Sequence, residues 1–192
     1  MAESRPGVDP RSILTVLHRH RVDYVLLGDW AAVLHGAPRP SGDIDIALAR
    51  GRRNLARLSP ALTDLGARMR FPGRPDPLVF THDPGSLGRM FSSMPSVSLV
   101  TPHGPLDIVV EQPGLPDYRD LRRHAVAGRL DGVPVRVASL DDLIRSKQVA
   151  GPAELDALST LQHLRELQEL NKALRIEPRL GREELESPWL GL

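Results

Sequence analysis

The most informative part of the chain runs from residue 28 to residue 48 and reads GDWAAVLHGAPRPSGDIDIAL. Gly28 ends an apolar run and opens a short apolar helix, and a proline-containing loop then leads to a predicted strand over Ile44 to Leu48. Asp43 and Asp45 are two residues apart, so in an extended strand their side chains project from the same face, with Cα atoms about 6.5 Å apart. Two carboxylates placed in this way can share a hard divalent cation.

A third acid, Asp107, lies in the apolar run from residue 104 to residue 110. His103-Gly104 predicts a hairpin turn that joins this run to a strand over Val97 to Thr101, and the hairpin would bring Asp107 to the sheet that carries the first two acids. Three strand-borne carboxylates around Mg²⁺ or Mn²⁺ form a constellation for phosphoryl transfer. The alternatives stay open, because acids alternating with isoleucines also occur on ordinary half-buried strands, and an Asp beside a turn often binds turn amides.

These acids and the residues around them resemble the nucleotidyltransferase superfamily, in particular the small bacterial branch that includes the AbiEii-type toxins of toxin–antitoxin pairs. The resemblance covers roughly residues 20 to 160. It rests on matching residues that occur in the family's order around the acids, and on a later Leu-x-Asp-Leu…Lys segment. The matching residues are Gly28, His35, Gly36, Arg39, Ser41, Asp43, Asp45 and Asp107, followed by Leu140, Asp142, Leu143 and Lys147.

The resemblance implies an α/β fold, a nucleotidyltransferase-like mixed β-sheet flanked by helices with a C-terminal helical segment. It also implies an enzyme that uses Mg²⁺ or Mn²⁺ to transfer NMP from an NTP to a hydroxyl acceptor, such as an RNA end (tRNA among them) or a protein. Asp43, Asp45 and Asp107 would be its catalytic and metal-binding residues. A toxin with a cognate antitoxin is a setting that this branch suggests. The alternatives are a catalytically degenerate binding module on the same fold and a resistance enzyme of the aminoglycoside-adenylyl type.

Four further residues are candidates for binding the nucleotide. The turn at Gly28 exposes backbone N–H groups at a helix start, where phosphates can bind. Arg39 lies between two prolines that stiffen its loop, and its guanidinium suits phosphate oxygens. Ser41 would bond phosphate or cap the loop. Lys147 resembles the lysine that follows the family's Leu-x-Asp-Leu segment, with a solvated helix face as its alternative.

Asp29, a fifth nucleotide-site candidate, is the main departure from the family, most of whose members place Gly or Ser after the glycine turn. A carboxylate there would repel phosphates, cap the helix by accepting N–H bonds otherwise offered to phosphate, or add a metal ligand. Members of the family usually have a basic residue and an acid near the position of Leu155. This chain has Pro152-Ala153-Glu154 there, which keeps an acid but lacks the basic residue. His35, at the end of the short helix, is favoured as a structural hydrogen-bonding group over a catalytic one.

Composition narrows the function classes. Among 192 residues, Lys and Arg number 25 and Asp and Glu number 24, so the net charge of +1 gives no broad basic field, and any RNA contact must be local. The chain contains no cysteine, which excludes disulfides, thiolate catalysis and Cys-based zinc sites. The chain has neither an apolar leader nor a run of about 18 apolar residues, so we expect a cytoplasmic protein without a membrane span.

The length favours a single well-packed core with a helical appendage. We expect a nucleotidyltransferase-like domain over residues 8–150 and a C-terminal helical extension over residues 151–180 that packs on the same core. Residues 1–7 and 181–192 read as tails.

Local signals predict several elements along this core. Asp9-Pro10 predicts the start of the first helix, and Asp131-Gly132 predicts a second hairpin. Leucines spaced by three from Leu155 onward drift around an α-helix, so part of this stripe is expected to face a partner. Residues 71–84 are rich in proline and glycine, and the only assignment there is a strand over Leu78 to Thr81.

Overall fold

The computed structural model describes residues 8–38 and 42–174, so Arg39, Ser41, both tails and residues 175–180 lie outside the described residues. Within them the chain forms seven α-helices and seven β-strands, and a 3-10 turn over Pro152–Glu154 separates the last two helices. The helices are α1 Pro10–Arg19, α2 Gly28–Leu34, α3 Arg52–Asp64, α4 Pro84–Ser93, α5 Tyr118–His124, α6 Leu140–Ala150 and α7 Leu155–Ala173. The strands are β1 Tyr24–Leu26, β2 Ile44–Leu48, β3 Arg68–Met69, β4 Ser96–Thr101, β5 Gly104–Val109, β6 Val126–Leu130 and β7 Val133–Val137.

The seven strands of the described residues join one mixed sheet in the order β3-β4-β5-β2-β1-β7-β6. β2 runs parallel to β5 and β1 runs parallel to β7, whereas the other four neighbouring pairs are antiparallel. The two strands predicted to carry acids, β2 and β5, are therefore direct neighbours near the middle of the sheet. This architecture confirms the predicted fold class, a mixed α/β sheet flanked by helices with a C-terminal helical segment.

Local sequence signals account for several elements. The Asp9 side chain accepts a hydrogen bond from Ser12 N at 3.0 Å and caps α1, whose first residue is Pro10. At the tip of the β6–β7 hairpin, Asp131 and Gly132 have φ values of +48° and +81°, the left-handed conformations that suit a two-residue hairpin turn. Both predictions are confirmed, as are the bounds of β2.

Two expectations from the sequence need correction. The strand expected over Leu78 to Thr81 is wrong, because in the described residues Leu78 forms only an isolated bridge with Met69. The hairpin between β4 and β5 exists, but its turn is Pro102-His103, one residue earlier than predicted, and Gly104 is already the first residue of β5.

Two helices, α4 and α5, were not predicted. Helix α4 contains Gly85 and Gly88, which disfavour a helix on propensity alone. Its Asp83 cap accepts bonds from two backbone N–H groups, and Leu87 and Phe91 are buried beneath it. Capping and burial therefore outweigh the intrinsic preference of the segment.

The C-terminal helix α7 contacts the rest of the fold along part of its length. Leu161 is only 2% exposed, and Gln168 Nε2 donates to His35 Nδ1 at 3.3 Å. Further along, Leu167 and Leu170 are 41% and 55% exposed, as the drifting spacing predicts. The partner for these leucines and the domain boundary at residue 150 stay predictions. No helix of the described residues is both long and apolar enough to cross a membrane.

Candidate active site

The three predicted acids converge at the junction of β2 and β5. Asp45 and Asp107 are direct register partners in the parallel ladder between these strands. Asp43 lies one residue before β2 rather than within it, which corrects the picture of both acids on one strand. Its carboxylate nevertheless reaches the other two, since one oxygen from each of the three residues lies within 4.8 Å of the others.

The three carboxylates are partly buried, and their proximity changes their acidity. The pKa of Asp45 is raised to about 7, mainly by burial and also by the charges of Asp43, Asp107 and Asp29, whereas the charge of Lys147 acts in the opposite direction. Burial is also the main cause that raises the pKa of Asp107. Carboxylates held this close repel each other unless protons or cations neutralise them, so the donor set fits a divalent cation.

Gly28 packs directly against Asp45. A Cβ added at Gly28 would lie 2.1 Å from Asp45 Oδ2, and the Gly28 backbone has a φ of +60°, so both space and conformation require glycine. Leu27 N donates to Asp45 O at 2.8 Å and joins the turn to β2. Helix α2 begins at this turn, and its N-cap residue Leu27 provides no side-chain hydrogen bond, so no such cap occupies the first N–H groups of the helix.

Asp29 forms an ion pair instead of capping α2. Lys147 Nζ lies 3.3 Å from Asp29 Oδ1 and 2.7 Å from Glu154 Oε2. Burial alone lowers the pKa of Lys147, but the hydrogen bonds and charges of Glu154 and Asp29 outweigh it, and the pKa is raised overall. The structure thus brings two predicted nucleotide-site residues, Asp29 and Lys147, together beside the glycine turn, although 118 residues separate them in sequence.

Ser98 and Arg70 are two neighbours of the site that sequence reasoning missed. Ser98 is the register partner of Asp107 in the β4–β5 hairpin, and its side chain hydrogen-bonds to the Asp107 carboxylate, which opposes the rise in the Asp107 pKa. The positive charge of Arg70 acts in the same direction. A correct placement of the hairpin turn would have identified Ser98, because a two-residue turn fixes the cross-strand register.

His35 and Asp142 have structural contacts. His35 is buried, and its Nε2 lies 2.8 Å from the carbonyl oxygen of Ala138, while burial lowers its pKa. Asp142 is fully buried at the start of α6, where it accepts a hydrogen bond from Ser139 Oγ at 2.8 Å and pairs with Arg145. The family-like Leu-x-Asp-Leu segment therefore uses its acid to anchor α6, the helix that carries Lys147.

The sequence matches no protein-family model and no curated protein. The structure is similar to that of the lincosamide antibiotic adenylyltransferase LnuA, solved with lincomycin bound, with a TM-score of 0.54 and 17% identity over 83% of this chain and 99% of that chain. ANT(2″)-Ia in complex with adenylyl-2″-tobramycin gives a TM-score of 0.48 and 16% identity over 86% of this chain and 95% of that chain. An antigenic nucleotidyltransferase-like protein from Paracoccidioides brasiliensis gives a TM-score of 0.43 and 16% identity over 88% of this chain and 91% of that chain. Identity this low establishes the fold alone, so the chain has a nucleotidyltransferase-like α/β fold.

Proposed function

We propose that the protein is a metal-dependent nucleotidyltransferase that moves NMP from an NTP to a hydroxyl acceptor. The observation that carries this proposal is the convergence of Asp43, Asp45 and Asp107 within 4.8 Å. Oxygen ligands in this number suit Mg²⁺ or Mn²⁺, which Asp43, Asp45 and Asp107 would hold and which would neutralise the negative charge of the phosphates and of the departing pyrophosphate.

The carboxylates divide the chemical work between them. Asp43 and Asp45 would hold the cation with the help of Asp107, and Asp107 would also accept the proton of the acceptor hydroxyl. The hydroxyl oxygen forms a bond to the α-phosphorus, the bond from that phosphorus to the oxygen bridging the β-phosphate breaks, and pyrophosphate leaves. The raised pKa of Asp107 supports its assignment as the proton acceptor, because a base with a higher pKa holds the transferred proton more strongly.

The nucleotide would be held on the side of the acids where α2 begins. Gly28 lets the backbone approach the phosphates, and Lys147 supplies a positive charge beside this turn. Asp29 belongs to the same site through its ion pair with Lys147. Arg39 and Ser41 remain predicted nucleotide ligands that lie outside the described residues.

The acceptor and the physiological role rest on the sequence resemblance. It favours the 3′ end of an RNA such as tRNA, or a protein hydroxyl, in a bacterial cytoplasmic toxin of the AbiEii type with an antitoxin partner. LnuA has this general fold and is a lincosamide antibiotic adenylyltransferase, so small hydroxylated molecules belong in the same acceptor screen.

One observation favours a second candidate, a nucleotide-binding module without catalysis. The Asp29 carboxylate pairs with Lys147, the cation proposed to meet the phosphates. If that pair persists when nucleotide arrives, transfer would be blocked. Titration calorimetry with each of the four NTPs and Mg²⁺, followed by a transfer assay, separates an enzyme from a module that binds without transfer.

The transfer assay uses each α-labelled NTP with Mg²⁺ or Mn²⁺ and three acceptor pools: total RNA, protein extract and a panel of aminoglycosides and lincosamides. Asp43→Asn, Asp45→Asn and Asp107→Asn should each abolish labelling. Asp131→Asn is the matched control, because it makes the same change at the exposed β6–β7 turn, where Asn also accepts a positive φ. Labelling that survives all three site changes would falsify the proposed function.

A further inference from the structure

Lys147 lies between two carboxylates at unequal distances. Its Nζ is 2.7 Å from Glu154 Oε2 and 3.3 Å from Asp29 Oδ1, and its side chain is only 20% exposed. An ammonium group has three donors and can hold both acids at once, but the shorter bond is the stronger one. Glu154 is therefore the main anchor of Lys147, and Asp29 is its weaker partner.

The chain is built so that Glu154 can reach Lys147. Residues seven apart on a continuous α-helix are separated by about 10 Å along its axis, so a 2.7 Å contact at that spacing would require both side chains to be nearly fully extended. Helix α6 instead ends at Ala150, and Gly151 takes a φ of +98° before the 3-10 turn Pro152–Glu154. This break turns Glu154 back toward α6 and links the helical extension to the site.

Asp29 is the partner nearest to an incoming phosphate, because it directly follows Gly28 and Gly28 contacts Asp45. Glu154 lies in the 3-10 turn that follows α6, so it contacts Lys147 from a different element than Asp29 does. A phosphate oxygen that reaches the ammonium from the glycine turn therefore competes with Asp29 and leaves the Glu154 contact in place.

Resting on the proposed function, we infer that Glu154 is a positioning residue that holds Lys147 beside the Gly28 turn, and that the NTP phosphates displace Asp29 from Lys147 on binding. Asp29 is thus an internal competitor of the nucleotide. Glu154 limits this competition, because an ammonium group that also binds Glu154 binds Asp29 less strongly.

The inference makes opposite predictions for the two acids. Without Asp29, the phosphates meet no competitor and NTP affinity rises. Without Glu154, Lys147 has Asp29 as its only carboxylate partner among the described residues, and NTP affinity falls. With both acids removed, the effects oppose each other and affinity returns toward the wild-type value.

The test measures the Kd of the full-length protein for Mg·ATP, Mg·GTP, Mg·CTP and Mg·UTP by titration calorimetry. For the nucleotide that binds, we expect Asp29→Asn to lower the Kd roughly fivefold, Glu154→Gln to raise it roughly fivefold, and the double variant to return within about twofold of wild type. The control is Glu166→Gln, the same change at an exposed position of α7, and its Kd should equal that of wild type. The Kd for Mg²⁺ alone should not change with Glu154→Gln, since Glu154 pairs with Lys147 and is not one of the three clustered carboxylates.

A general structural role for Glu154 would weaken nucleotide and Mg²⁺ binding together, and Asp29→Asn would not reverse the loss. Either result overturns the inference, as does a Glu154→Gln variant that matches Glu166→Gln. If Glu154→Gln fails to fold, a Kd for Asp29→Asn at or above the wild-type value overturns it independently. A wild-type protein that binds none of the four nucleotides contradicts the proposed function itself and removes the inference with it.

Discussion

Gly28 and Asp45 are in such close contact that no side chain fits between them. A Cβ at Gly28 would stand 2.1 Å from Asp45 Oδ2 and 2.9 Å from Asp45 Cγ. The glycine turn therefore sets the position of a central carboxylate of the site, in addition to opening α2. This contact makes the turn a sensitive point for testing the site.

We predict that Gly28→Ala abolishes NMP transfer by displacing the Asp45 carboxylate. A shift of about 1 Å at a reacting group can cost about 100-fold in rate. Gly73→Ala is the matched control, because Gly73 also has a positive φ, +79°, but a Cβ there meets nothing within 4 Å. Both variants should lose about 1 kcal/mol or more in the free energy of unfolding from backbone strain, and only Gly28→Ala should lose label transfer. Equal activity in the two variants would contradict the assignment of the contact.

The raised pKa of Asp45 predicts a pH-dependent stability of the metal-free protein. A carboxyl group whose folded pKa is about 7, against an ordinary 3.8, stabilises the fold at low pH, and this contribution is lost as pH rises through about 7. His35 acts in the opposite direction, because its lowered pKa favours the fold above the ordinary histidine pKa and that stability is lost as pH falls.

The difference between wild type and Asp45→Asn isolates the Asp45 contribution. In urea unfolding with a chelator, the variant should gain roughly 2 to 4 kcal/mol relative to wild type between pH 4 and pH 8. Added Mg²⁺ should reduce this difference at pH 8, because the cation favours the ionised carboxylate. A difference that does not vary over this range would show that Asp45 titrates normally.

Ser98→Ala should change the pH profile of the reaction. The Ser98 hydrogen bond lowers the pKa of Asp107, so its loss raises that pKa and moves the acid limb of the activity profile to higher pH. Transfer at neutral pH should fall roughly three- to tenfold. Ser96→Ala makes the same change two residues away on β4, opposite Val109, and should keep the wild-type profile. An unshifted acid limb would argue against Ser98 as a neighbour of the base.

His35→Ala should destabilise the protein without specific loss of chemistry. The variant removes buried hydrogen bonds to Ala138 and Gln168, at a cost of about 1 to 3 kcal/mol in the free energy of unfolding. Activity per folded molecule, measured well below the unfolding temperature, should stay near the wild-type value. A large loss of activity with unchanged stability would instead assign His35 a part in catalysis.

Two leucines of α7 test whether the helical extension shares the core. Leu161 is 2% exposed and Leu170 is 55% exposed. Leu161→Ala should lower the free energy of unfolding by about 2 to 4 kcal/mol in a single cooperative transition, and Leu170→Ala should change it by less than about 0.5 kcal/mol. A separate, early transition in the Leu161→Ala variant would indicate that the extension folds as its own unit.

Elements with strong local signals could be predicted from the sequence. β2 was predicted with its observed bounds, because glycine and alternating apolar residues delimit it. The start of α1 followed from Asp9-Pro10. The same signal, Asp83-Pro84, opens α4, but two glycines and the surrounding proline-rich segment obscured it. Here capping was more informative than propensity.

Contacts across the fold were harder to predict. The proximity of Asp45 and Asp107 was expected, because both lie in predicted strands and the predicted hairpin would bring Asp107 to the same sheet. Ser98 was missed because a hairpin turn at His103-Gly104 would pair Asp107 with position 100 instead of position 98, so an error of one residue in the turn changes the partner. The Asp29–Lys147 pair joins residues from distant elements, and no local pattern encodes that proximity.

The position of the acids in the sheet has a consequence for the durability of the site. β2 and β5 each have a strand on both sides, so the backbone amides beneath the carboxylates should exchange with solvent only in large, rare openings. Lys147 depends instead on Glu154, at the entrance to a helix with a single fully buried residue among those described, Leu161. Under the proposed function, a binding event near Glu154 would release Lys147 and weaken nucleotide binding, whereas the three carboxylates would keep their positions for the metal.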